Sequence, residues 1–176
     1  MIQAPLSSFG IFHTLISVLA LALGLSALWR WRRITATGAI GTGYVALTAL
    51  SSLTGLFIFH HGGFGKPHVL SILTLVFLAL AVIAARSRLF GRYSERVEAL
   101  LLSTTIFFHL VPGVTETSTR LPIGHPLFSS PDDPGLQAVI FSLLVLLLLG
   151  LYLQYRFVLR DIGAAHGRTV TAPHYR

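Results

Sequence analysis

Histidine offers more chemistry than any other residue type in this chain, and its distribution is uneven. An imidazole nitrogen can ligate zinc, copper, iron or haem, and it exchanges a proton near neutral pH. Of the eight histidines, His13 and His109 lie inside long apolar runs, His60 and His61 end another run, and His68 opens the next beside Pro67. Proline suits the first turn of a helix. We read His13, His61, His68 and His109 as candidate metal ligands or proton carriers, with His60, Glu116 and Arg120 at the rim of the same site. Ionisable groups inside apolar spans usually face a bundle interior, which singles out His13 and His109.

Each of these residues also has a plainer reading. His60, His61 and His125 can be solvated loop residues, because imidazole tolerates a membrane–water interface. The spacing matches no zinc motif such as HExxH. With no cysteine, thiolate metal sites, iron–sulfur clusters and cysteine nucleophiles are excluded. Glu116 and Arg120 would make an i,i+4 ion pair on a helix, worth a few tenths of a kcal/mol when exposed. Alternatively, Arg120 offers a donor fork to an anion. Thr105 lies one turn below His109, and Glu116 two turns above it if the helix continues through Pro112. A hydroxyl or carboxylate so placed can orient an imidazole. No nucleophile–base pair and no paired carboxylates occur within a span, so no catalytic residue is assigned and binding is favoured over catalysis.

The elements that must carry these groups are set by composition. Of the 176 residues, 53% are hydrophobic and only 11% charged, whereas soluble domains average about 25% charged. Five apolar runs, near 9–29, 38–59, 67–85, 97–113 and 136–155, are long enough to cross roughly 30 Å of hydrocarbon at about 1.5 Å per residue. Lipid excludes open strand edges, so the runs are helices. The expected fold is all-α: an integral membrane bundle of five transmembrane helices in a single domain, 1–160, followed by a polar basic tail, 161–176. The connection 114–135, with its prolines and glycines, is not expected to be one regular helix, although TETSTR can form a turn or a short interfacial helix.

A net charge of +7 would ordinarily raise the question of nucleic acid. Here the basic residues flank apolar runs, so we read them as an orientation signal and expect no nucleic-acid partner. Of the thirteen Lys and Arg, only Lys66 and Arg120 fall on one side. The positive-inside rule puts the others in the cytoplasm, the N-terminus outside and the C-terminus inside. No Lys or Arg precedes Gly10, so the first run reads as a retained span rather than a cleaved signal. Trp29, Trp31, Tyr93, Tyr152 and Tyr155 fit as interfacial anchors. Gly41, Thr48, Ser52 and Gly55 give the second span a small, polar face, for close packing or for lining a site. In HHGGFGKPH, the glycines Gly62, Gly63 and Gly65 allow a tight reversal that would bring His61 and His68 together.

The segments HHGGFGKPHVLSILTL and FFHLVPGVTETSTRLP, separated by a basic loop, resemble a family of multi-span bacterial membrane proteins of unknown function. The resemblance covers most of the chain and is most specific in the GGFG-x-x-H turn and in TETSTRLP. It implies a bacterial cytoplasmic (inner) membrane location and a helical architecture, and it carries no activity. The functional expectation is a histidine-rich polar site at the outer interface that binds a transition metal ion or haem b. Two alternatives stand beside it: an accessory subunit or scaffold that meets other membrane subunits or its own copies in the bilayer, and a small haem–quinone oxidoreductase.

Overall fold

The computed structural model of the chain describes residues 7–59, 63–87 and 89–159. His60, His61 and the tail 161–176 lie outside the described residues. Within them the chain is all helical: α1 (Ser8–Trp31), α2 (Gly38–Gly55), α3 (Lys66–Ser87), a 3-10 turn (Gly91–Tyr93), α4 (Ser94–Arg120) and α5 (Pro134–Gln154), which runs into a π turn (Tyr155–Leu159). Four of the five long helices, α1, α3, α4 with its preceding turn, and α5 with its extension, are long and apolar enough to cross a membrane. The fifth, α2, is 18 residues long, and its Gly, Ser and Thr content lowers its hydropathy. The five expected runs are thus five helices, with the polar one set among the others.

Local chemistry fixes the helix ends. The Ser7 hydroxyl accepts the Gly10 N–H at 3.1 Å to start α1, and α1 ends at Arg32, in left-handed backbone at φ 56° with its N–H donating to the Leu28 carbonyl. Asp133 accepts the Gly135 N–H at 2.9 Å to start α5, with Pro134 in its first turn. Pro112 lies inside α4. It removes one backbone donor, yet the helix continues to Arg120, so residues 114–120 extend α4 rather than forming loop.

The closest helix pairs are α1 with α2 and α3 with α4; contacts of α2 with α3 and of α1 with α4 complete a ring. α1–α4 therefore form a four-helix bundle in which α2 and α4 stand diagonally opposite, and α5 packs outside against α4. α1 approaches closely through buried Ala20, Gly24 and Ala27. A Cβ on Gly24 would strike Ile106 Cδ1 and come 2.7 Å from the Tyr44 ring, so Gly24 gives that ring its place in the core. On α5 only Leu136 and Gln154 are buried, and Leu146, Leu148, Leu149 and Leu153 are exposed.

One end of the bundle is tied shut. Arg33 pairs with Glu95 at 3.3 Å, Glu98 accepts the Ala36 N–H at 2.5 Å, and Gln154 Nε2 donates to the Arg32 carbonyl at 2.8 Å. These bonds fasten α4 and α5 to the α1–α2 connection. Ile34, Leu78, Ala81 and Leu102 form a dry layer within the adjoining core. Arg30, Arg33, Arg92 and Arg96 belong to this end; the opposite end carries Lys66 and Arg120.

Candidate functional site

Between the dry layer and the arginine-poor end, the bundle interior is polar. On α2, Tyr44, Thr48, Ser51, Ser52 and Gly55 recur at steps of three and four and are all buried, which is one helical face. On α4, Leu102, Thr105 and His109 share a face by the same spacing. Because α2 and α4 are diagonal partners, their polar faces meet across the core. The Tyr44 hydroxyl lies 2.5 Å from Thr105 Oγ1. Thr105 gives its own proton to the Leu102 carbonyl at 2.7 Å, so Tyr44 is the donor to Thr105. One turn further along α2, Thr48 Oγ1 lies 3.2 Å from His109 Nε2.

The neighbouring helix α1 joins this seam. His13 Nδ1 is 2.9 Å from Thr54 Oγ1. Ser17 Oγ is 2.6 Å from Ser51 Oγ and donates to the His13 carbonyl at 2.8 Å, so Ser51 supplies the proton of the hydroxyl pair. Gly55 makes room beside them, since a Cβ there would come 2.8 Å from Ser71 Oγ of α3 and 3.4 Å from His13 Cε1. His13 and His109 are thus bonded to two threonines of the same helix, Thr54 and Thr48. Glu116 and Arg120 form the expected i,i+4 ion pair at 2.6 Å. Hydroxyls of α2 hold two imidazoles from different helices.

The structure sets His13 and His109 each against a threonine of α2 and pairs Glu116 with Arg120. His68 has other surroundings: its ring packs against those of Phe59 and Phe64, and its Nδ1 accepts the Gly65 N–H at 3.1 Å. His125 is exposed. Among the described residues, no group of three or more His, Asp or Glu is arranged to hold a metal ion; the proposed ligand His61 and the rim residue His60 lie outside them. Thr105, expected to serve His109, bonds Tyr44, and Thr48 takes its place at the imidazole. The small polar face of α2 divides its labour: Thr48 lines the site, Gly55 grants close approach, and Gly41 packs under the Thr35 carbonyl. Tyr44, Ser51 and Thr54 on α2 and Ser17 on α1 are seam residues that the sequence reading did not single out; for those on α2 the signal is the continuation of its polar stripe, and Ser17 lies one turn from His13. No protein-family profile, curated protein or solved structure matches the chain, so the meaning of this site rests on its side chains alone.

Proposed function

We propose that this chain is a multi-pass protein of the bacterial cytoplasmic membrane, N-terminus outside, that takes up a cation from the outer side at His13 and His109. The cation is a proton or a transition metal ion, the two that imidazole nitrogen binds best. One observation carries this reading: two imidazoles inside an apolar bundle are each held by a threonine of the same helix, His13 by Thr54 and His109 by Thr48. Placing such groups in an apolar interior is costly, and they are kept where they bind or move something. The layer of Ile34, Leu78 and Leu102 interrupts the seam towards the arginine-rich end, which favours binding over conduction. The filled seam suits a small cation better than a macrocycle, so a haem between these two residues is the weaker choice.

The test uses the full chain in lipid nanodiscs. Zn2+ is titrated calorimetrically, and the histidine ring nitrogens are followed by NMR from about pH 5 to 8, the range in which imidazole titrates. A metal site gives saturable Zn2+ uptake, weakened about tenfold or more by His13→Ala or His109→Ala. A proton site gives linked titration of the two rings. Zn2+ uptake indifferent to both substitutions, together with unlinked rings, overturns the proposal.

The accessory-subunit reading draws support from α5, whose apolar surface is left uncovered by the rest of the chain. Cross-linking in native membranes from a site on α5 tests it: protein adducts support it, and adducts to lipid alone oppose it.

A further inference from the structure

The arginine-rich end carries a different chemistry from the seam. There a groove of about 1210 Å3 is lined by Leu25, Ser26, Leu28, Trp29 and Arg30 of α1 and by Ile40 of α2. Its volume exceeds the roughly 300–1,000 Å3 of small-molecule pockets. Leu25, Leu28 and Ile40 supply aliphatic wall. Ser26 gives its proton to the Ala22 carbonyl at 2.7 Å, so Arg30 is the one charged group that lines the groove. Its guanidinium lies 5.6 Å from the centroid of the Trp31 ring, a cation–π contact that neutralises no charge. The ion pairs among the described residues engage Arg33, Lys66 and Arg120, and Arg30 is in none of them. Of the carboxylates at this end, Glu95 is paired with Arg33 and Glu98 accepts the Ala36 N–H. A positive charge therefore stands uncompensated beside apolar surface. Ile40 lies in the first turn of α2, whose N-terminus has no side-chain cap, and the partial charge of such an end has the same sign.

We infer that this groove binds one anionic phospholipid of the cytoplasmic leaflet, with its phosphate on Arg30 and an acyl chain along Leu25, Leu28 and Ile40. A guanidinium offers phosphate oxygens a planar fork of donors. Trp29, 91% exposed, carries an indole that favours the headgroup layer, and its N–H is a further donor. Net charge selects the headgroup, because a zwitterionic lipid brings its own cation to the phosphate. A helix of another protein suits the groove less well, since it would strip water from an unpaired guanidinium, whereas a headgroup leaves it hydrated. The inference rests on the membrane reading and is independent of the histidines.

The test uses the full chain with Trp31→Phe, which keeps a ring beside Arg30 and leaves Trp29 as the sole tryptophan. It is placed in phosphatidylcholine nanodiscs that contain the same mole fraction of either brominated phosphatidylglycerol or brominated phosphatidylcholine, and Trp29 fluorescence is measured. The expected result is quenching by the anionic lipid as though it were enriched about fivefold beside Trp29, the factor for one arginine at an anionic surface. Arg30→Gln should abolish that preference. Arg92→Gln, which removes the same charge at the same end but not from the groove, should leave it intact. Equal quenching by the two lipids overturns the inference, and so does a preference lost equally in both substitutions, which would make it an effect of net charge. A Trp29 that neither lipid quenches is covered by protein, which also overturns it. Failure of the chain to enter nanodiscs would overturn the membrane reading and this inference with it. Comparing the two lipids needs no arginine substitution, so that comparison decides even if Arg30→Gln fails to fold.

Discussion

Thr48 and Thr54 decide what His13 and His109 can do, because each hydroxyl occupies one ring nitrogen and leaves the chemistry to the other. Thr48→Val keeps the shape of the side chain and removes that bond. Interhelical hydrogen bonds in bilayers average about 0.6 kcal/mol and reach about 1.7, so a stability loss in that range is expected by steric trapping, together with a changed His109 ring resonance. Gly55→Ala is expected to act without touching a polar group. Its methyl presses on Ser71 Oγ and His13 Cε1 and should weaken Zn2+ uptake severalfold; unchanged uptake would place His13 outside the site. At this scale the sequence disclosed the imidazoles, since an ionisable group in an apolar run is conspicuous. It did not disclose Thr54. A hydroxyl in a span can also bond its own helix, as Thr54 does with the Leu50 carbonyl at 2.9 Å, and nothing local separates that from a role across helices. The setting of His68 was hidden for a related reason: its contacts with the Phe59 and Phe64 rings follow from no local pattern.

Among the elements, α2 departs furthest from expectation and contributes most. Its hydropathy is low because its buried face is made of Tyr44, Thr48, Ser51 and Ser52, and that face is where the site lies. The apolar run of α4 ends near 113, but the helix goes on through Pro112 and takes in TETSTR, its later turns supported by the Glu116–Arg120 pair and by Thr119 Oγ1 bonding the Thr115 carbonyl at 2.8 Å. Gly24→Val would force the Tyr44 ring aside. Overpacking of this kind costs about 1–3 kcal/mol, to be read as a lower thermal midpoint in detergent; no change would mean that α1 can shift freely. The start of α5 has its own pH dependence. The N–H groups of Gly135 and Ser129 hold the Asp133 carboxyl below its ordinary value. A depressed carboxylate stabilises the folded end fully above the unfolded pKa, about 3.9, and that contribution disappears as pH falls through the lower folded value. Protection factors of the Gly135 and Leu136 amides, taken relative to intrinsic exchange at each pH, should fall in that acid window, and already at neutral pH in Asp133→Ala.

For the molecule as a whole, the account has a ring of four helices with a polar seam in its interior, a fifth helix alongside, and a lopsided set of arginines. The helical architecture was legible because apolar runs of this length leave few options. The diagonal pairing of α2 and α4 was not, since it depends on which faces meet, and no single run specifies its partner. Orientation is testable because the chain has no cysteine. Ile123→Cys should react with a membrane-impermeant maleimide on intact spheroplasts, and Arg92→Cys only after permeabilisation; the reverse pattern would invert the topology. The central claim is that His13 and His109 act as one cation site, and ring-nitrogen NMR of the full chain in nanodiscs measures it most directly. The account predicts that the His109 titration midpoint moves when His13 is replaced by alanine, and that Zn2+ perturbs both rings in the same saturable step. Midpoints that ignore each other, with both rings unmoved by Zn2+, would contradict it.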